Sequence, residues 1–201
     1  MGIALALTAA ACVPPHYIET PYAAQDENMS VPLQWRPTDK LRDLENRPVP
    51  RGPWQALRVD PFFDRRANPQ VIGENVQHVQ HFPIVTAGSV GPFAAAGVRD
   101  VLAAQGMRAD APEAQRILRG EVVQFFVRED NVYNADVVLH VQVQAQGGRV
   151  LWDATVSGRS KRWGRSMSAE NYAEAYGNAL VEAAKNLFVD PGFQAAVAMG
   201  E

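Results

Sequence analysis

The stretch that decides the fold is residues 135–159, ADVVLHVQVQAQGGRVLWDATVSGR. Val137, Leu139, Val141 and Val143 alternate with Asp136, His140, Gln142 and Gln144. A period of two marks a strand with one wet face. Gly147-Gly148 then supplies a two-residue turn that tolerates positive φ at both positions. Beyond it, Val150, Trp152, Ala154 and Val156 alternate with Leu151, Asp153, Thr155 and Ser157. Setting the glycines as the loop makes Gln146 face Arg149, Val143 face Trp152, Val141 face Ala154 and Leu139 face Val156. Turn and alternation therefore agree on one register, and a slip of one residue would turn every apolar side chain to water. On this reading Trp152 packs in the core against Val143 and the last long helix.

Outward from the hairpin, residues 116–128, RILRGEVVQFFVR, read as a strand whose two-sided hydrophobicity suits the inside of a sheet. Before it, Ser89 and Gly91 can cap a helix over residues 92–105. Phe93, Ala96, Gly97, Val98, Val101, Leu102 and Ala104 give that helix one apolar face, and Gly106 sits at the left-handed C-terminal position. After the hairpin, Ser168 can cap a long helix lined by Tyr172, Tyr176, Ala179, Leu180, Ala183, Ala184 and Leu187, which Asp190-Pro191 stops. Residues 192–199 suit one more short helix. Residues 54–63, WQALRVDPFF, suggest a first strand. The next stretch has turn signals at Asn68-Pro69 and Gly73 and reads as short strands or a loose excursion over 76–80 and 84–86. The expected fold is α+β, a two-layer sandwich in which a mainly antiparallel sheet of about four strands is covered by two helices.

The chain has 201 residues, 47% hydrophobic and 20% charged, with a net charge of −3, so it lacks the electrostatic footprint of a nucleic-acid binder. Its single cysteine, Cys12, rules out an internal disulfide and a cysteine-based zinc cluster. Residues 1–15, MGIALALTAAACVPP, look like the tail of a bacterial lipoprotein signal peptide with processing before Cys12. Ala10 and Ala11 suit the small positions ahead of the cysteine. Ala9 stands where such peptides usually carry Leu, and no Lys or Arg precedes Cys12. Residues 12–53 are rich in proline, which breaks helices and cannot donate to a sheet, and read as an extended tether. Part of it, around residues 31–35, is aromatic enough to pack along the domain, and residues 38–45 could form a turn of helix. The expected organisation is therefore residues 1–11 as signal-peptide remnant, 12–53 as tether and 54–201 as the folded domain.

Few residues could carry chemistry. His78 and His81 lie three apart, but no third metal ligand is near in sequence, so a solvated loop is the reading and no metal is expected. His140 falls on the polar face of its strand. Asp64-Arg65-Arg66 follows the first strand, and Arg65 or Arg66 could clamp an anion, although a local ion pair of Asp64 with Arg66 or Arg58 is the plainer reading. Lys161, Arg162, Trp163 and Arg165 form a basic patch with one aromatic, which could contact an anionic polymer or lipid headgroups, although a solvated basic loop is the plainer reading. Arg65, Arg66, Arg162 and Trp163 are thus the candidates for contact with a partner. No Ser-His-Asp order, nucleophile elbow or phosphate loop occurs, so neither a catalytic activity nor a cofactor is expected.

With those residues placed, the chain resembles the YajG family of bacterial lipoproteins over residues 57–197, together with the Cys12 start. The resemblance rests on DRRANPQVIG after the first strand, the helix segment VRDVLAAQGM, the hairpin segment EVVQFFVREDNVYNADVVLHVQV and the closing helix SAENYAEAYGNALVEAAKNLF. It implies an envelope protein held at the periplasmic face of the outer membrane by lipid on Cys12. Its implied partner is another envelope protein or a cell-wall polymer, with a transport accessory that carries a lipid or small amphiphile between sheet and helices as the alternative. It brings no catalytic residues.

Overall fold

The fold is built on one long central strand, β6 (Arg116–Glu129), which pairs along its whole length on one side and in three pieces on the other. The computed structural model describes residues 28–36, 54, 56–77, 81–164 and 166–198. Cys12, His16, His78, Arg165 and the turn of helix expected over 38–45 lie outside the described residues.

On one flank β6 pairs antiparallel with β7 (Val132–Ala145), which pairs antiparallel with β8 (Val150–Trp163). On the other flank the chain runs beside β6 three times in the same direction. These runs are β2 (Leu57–Val59), β3 (Phe63–Asp64) and β4 (Val71–Asn75). β5 (Phe82–Val85) turns back antiparallel to β4, and β1 (Met29–Ser30) lies parallel to β5. The helices are α1 (Val90–Ala104), α2 (Ala169–Val189) and α3 (Pro191–Val197).

This corrects the expected fold class. Among the described residues the sheet has eight strands and is mixed, with parallel pairs, and three helices accompany it. The stretch read as one strand plus a loose excursion is a single path broken at Asp60-Pro61 and over residues 65–70, where proline and polar residues interrupt the ladder. Gly73, read as a turn, lies inside β4, where a Cβ would sit 2.3 Å from the carbonyl oxygen of Val127. Parallel pairing follows from the route to β6. The chain returns through β5 and α1, and such a crossover, unlike a hairpin, brings a strand in beside its predecessor in the same direction.

The hairpin register is as the alternation implies: Val143 faces Trp152, Val141 faces Ala154 and Leu139 faces Val156. Its turn differs. The Gly148 amide donates to the Ala145 carbonyl at 2.8 Å, the Ala145 amide donates to Arg149 at 2.9 Å, and of the two glycines only Gly148 has positive φ, at 83°. The loop therefore has three residues and ends in a left-handed glycine. The extra residue is absorbed by a register shift between Val143 and Gln144, which leaves Val150 48% exposed instead of facing the core. A second shift in β6 between Val122 and Gln124 turns Val123 out and keeps Val122 and Phe125 in. That shift explains why VVQFF does not alternate.

The helix stops are as their signals indicate, whereas Ser89 and Ser168 hold the N-cap positions without a side-chain capping bond. At the end of α1 the Gly106 amide reaches Ala103 and the Met107 amide reaches Leu102, and Gly106 has φ of 81°, a complete Schellman stop. Asp190 ends α2 and caps α3 by accepting from the Phe193 amide at 2.8 Å. Helix α2 rests on β7 and β8, with α1 beside it. Tyr176 of α2 packs against Phe93 of α1 and Phe125 of β6, with ring centroids 5.5 and 5.2 Å away. Its hydroxyl accepts from the Gln34 amide at 2.8 Å and donates to the Pro32 carbonyl at 3.1 Å. That bond, the buried Val31 and the Trp35–Phe93 contact hold residues 28–36 on the domain, as the aromatic content of the tether suggested.

Helix α2 and strand β8 pack backbone against backbone. A Cβ on Gly158 would stand 2.1 Å from the carbonyl oxygen of Ala179 and 2.2 Å from the amide nitrogen of Ala183. Ser160 donates to the Ala175 carbonyl at 2.6 Å, and Asn186 donates to the Ser157 carbonyl at 2.8 Å. Ala175, Ala179 and Ala183, spaced four apart, are the small-residue stripe that lets the helix backbone descend onto the strand.

Gly158→Ala should destabilise the protein by about 3 kcal/mol, the upper end of ordinary overpacking, because a helix backbone and not a flexible side chain must move. A lowered urea midpoint with an unchanged slope is the expected result. Trp152 is only partly buried, and its ring meets Phe193 of α3 at 5.6 Å. Full burial under the long helix would put Trp152→Ala at about 3–5 kcal/mol, and partial burial against the short helix lowers the expected loss to below about 3 kcal/mol. The same unfolding measurement separates the two values.

Candidate functional site

The two faces of the sheet differ sharply. Helices cover one. On the other, β7 presents Asn134, Asp136, Val138, His140, Gln142 and Gln144, each half-buried, while most of the residues alternating with them are buried. β8 presents Asp153, Thr155, Ser157, Arg159, Lys161 and Trp163, all exposed. The same alternation that builds the core builds this polar surface.

At its centre is a network of fixed side chains. His140 Nε2 lies 2.7 Å from Asp153 Oδ1, and Gln142 Nε2 donates to Asp153 Oδ2 at 2.6 Å. Gln144 donates to Gln142 at 3.1 Å. His140 Nδ1 is 3.8 Å from Glu121, which accepts two bonds from Arg65, at 2.9 and 3.0 Å. The Arg65 guanidinium in turn sits 5.3 Å from the ring centre of Phe63, which is 64% exposed. Asp60 accepts from Arg58 at 2.9 Å and from Arg119 at 3.3 Å. Together Asp60, Phe63, Arg119, Glu121, His140 and Gln142 border an open depression of about 350 Å³. The His140 and Gln142 hydrogen bonds hold the Asp153 carboxyl below the usual aspartate value, with the His140 bond the larger cause. The arrangement offers donors and acceptors held in place by one another.

The structure separates the four residues singled out from sequence. Arg66 is an internal clamp. Its side chain is 8% exposed, it forms a two-point pair with Asp64, and it donates to the carbonyls of Pro69, Val71 and Phe125. The plainer ion-pair reading of Asp64 with Arg66 describes it. Arg65 belongs to the network above. Arg162 is held by Glu174 at 2.5 Å and by the Trp163 carbonyl at 3.1 Å. Trp163 is 76% exposed, with the Lys161 ammonium 5.2 Å from its ring centre.

A buried polar cluster was not foreseen. Glu129, fully buried at the end of β6, accepts from the Tyr172 hydroxyl at 2.6 Å, the Gln77 amide group at 3.0 Å and the Met167 backbone at 3.1 Å. The Tyr133 hydroxyl accepts from Ser166, Ser168 and Asn171. Burial first, and then the bond to Glu129, push the Tyr172 phenol above the ordinary tyrosine value. The cluster ties β6, β7, the chain just after β4 and the start of α2 together. The only hint in the sequence was a glutamate ending an apolar strand.

No family model matches the chain, and no curated protein matches it. Among solved structures it is similar to protein XCC0632 from Xanthomonas campestris, of the DUF330 family. That likeness has a TM-score of 0.51 and 16% identity, covering 83% of this chain and 94% of that one. It is also similar to the PelC dodecamer from Paraburkholderia phytofirmans, with a TM-score of 0.40 and 17% identity over 65% of this chain and 88% of that one. For lipoprotein GNA1162 from Neisseria meningitidis the TM-score is 0.27, with 12% identity over 53% of this chain and 83% of that one. The first of these shows a shared fold, and at such identities nothing finer follows.

The Asp153 carboxyl should titrate below the ordinary aspartate range, and His140→Gln should move it back upward, as read by carboxyl carbon NMR. A group depressed on folding stabilises above its unfolded value, near 3.8, and that contribution is lost as pH falls through the lower folded value. Because the side chain is 44% exposed, the effect on stability should be small.

Proposed function

We propose that this is a non-catalytic lipoprotein of the bacterial cell envelope, anchored through acyl chains on Cys12, whose helix-free sheet face binds another envelope component. The observation that carries the binding half is that face, which among the described residues carries no helix: long strands display charged and amide groups already fixed by one another, at little further entropic cost to a partner. The anchoring half rests on sequence. Small residues precede Cys12, the run before it is apolar, and a proline-rich segment follows. The residue after Cys12 is Val13 and not Asp, which in the lipoproteins this start resembles goes with the outer membrane. The resemblance to the YajG family belongs to the same reading, with the partner an envelope protein or a cell-wall polymer.

The alternative, a carrier holding a lipid or small amphiphile between sheet and helices, finds little room. That layer is filled by Phe125, Leu139, Tyr172, Tyr176 and Leu180, each 0–1% exposed.

Acyl chains contribute about 0.8 kcal/mol per buried methylene, and more than one chain gives stable anchoring where a single chain is marginal. Expressed behind a complete signal peptide, the wild type should fractionate with membranes and carry the added lipid mass. Cys12→Ser should lose both and stay folded in the soluble periplasmic fraction. An unmodified Cys12 in membrane-extracted protein, by intact mass, would contradict the anchor.

A further inference from the structure

Following one hydrogen-bonded row across the sheet orients the molecule. Met29 pairs with Ile84, Ile84 with Gly73, Gly73 with Val127, Val127 with Ala135, and Ala135 with Ser160. Met29 on β1 and Ser160 on β8 therefore stand at the same height. The direction is also set. β1 runs with β5, so the chain preceding Met29 points toward the row of Phe82, Asn75, Glu129, Tyr133 and Arg162. Trp163 lies one step further, opposite Val132. The polypeptide thus enters the fold at the end of the sheet that carries Lys161 and Trp163. Five strand spacings of about 4.8 Å put the two about 24 Å apart laterally.

Trp163 is unusual at that end. It is the most exposed large apolar side chain described, at 76%. Its backbone is held by Arg162, which is itself held by Glu174, and Lys161 lies over its ring. An amphipathic ring beside a long cationic side chain is the pairing found where proteins meet the headgroup level of a bilayer. Among the described residues the charges at this end are of both signs: Arg162 faces Glu174, Arg128 and His81 both lie by Glu74, and Lys161, Glu129 and Asp130 stand nearby. A strongly anionic partner is therefore not what the surface fits.

We infer that the Trp163–Lys161 end of the sheet seats against the phospholipid surface to which the chain is anchored, with Trp163 at the headgroup level. The inference rests on the proposed anchor at Cys12. Sixteen residue steps lead from Cys12 to Asn28, and at about 3.3–3.6 Å each they reach at most about 58 Å. The domain is thereby held at high effective concentration beside the bilayer, so a weak interfacial contact suffices.

The test uses the full lipidated chain in vesicles of phosphatidylethanolamine and phosphatidylglycerol that contain lipids brominated at graded depths. The chain has four tryptophans, and Trp35, Trp54 and Trp152 are each partly buried. Most of the quenching should come from the shallowest bromines and should be lost in Trp163→Phe. It should persist at 0.5 M salt, where screening cuts the reach of charge to about 4 Å. Equal quenching of wild type and variant, or none in either, overturns the inference if intact mass shows lipid on Cys12, and leaves the anchor standing. Absence of that lipid mass overturns the anchor and this inference with it.

Discussion

The architecture depends on how closely α2 lies on β8. With no side chain at Gly158, the carbonyl of Ala179 and the amide of Ala183 occupy the space where a Cβ would be. Ser160 and Asn186 bond the helix to the strand on either side of that point. Once α2 is seated, Tyr172 and Tyr176 are placed at fixed depths. Tyr172 reaches the buried Glu129, and Tyr176 reaches both the aromatic cluster around Phe125 and the backbone of residues 32 and 34. A helix one side chain further out would break both hydroxyl anchors, and buried hydroxyls without partners are costly. Asn186 also occupies a carbonyl on the outermost strand, which partly shields an edge that could otherwise pair with another sheet.

The central strand divides the molecule by surface character as well as by pairing. Antiparallel neighbours on one flank give long unbroken strands, so the polar face over β7 and β8 is continuous. On the other flank the path is broken twice, and Arg66 fills the second break by bonding the carbonyls of Pro69, Val71 and Phe125. Its cation is spent on holding the chain together. Arg65, one residue along, points to the opposite side and joins Glu121 and Phe63 at the margin of the depression. Adjacent arginines thus do different work because the chain leaves the ladder after Asp64, and each side chain meets different neighbours there.

Anchor, orientation and recognition form one geometry. If the sheet end bearing Trp163 meets the bilayer, the sheet stands on its end. In the proposed orientation the polar face around His140 and Asp153 then stands beside the bilayer, open to the partner proposed for it. Helices and core lie behind it and supply rigidity, and the hydrogen bonds among His140, Gln142 and Asp153 keep the displayed groups in place.

Local periodicity carried a definite part of this fold. It set the hairpin register, the central place of the strand at 116–129, the stops at Gly106 and Asp190-Pro191, and the packing of the segment around Trp35. These rest on contacts between near neighbours or on a dihedral that one residue type adopts best. β1, β3 and β4 were missed, because two residues have no measurable period, Gly73 inside β4 reads as a turn, and parallel pairing leaves no local mark. The register shifts at Val123 and Leu151 were hidden for a related reason, since a bulge looks like imperfect alternation until its partner strand is known. Asp64 with Arg66 was legible because they lie two apart. Glu121 with Arg65, and Glu129 with Tyr172, were not, because tens of residues separate them. That Arg66 is internal and Trp163 exposed emerged with the three-dimensional arrangement alone. Both are properties of which neighbours arrive from far along the chain, and no local pattern specifies that.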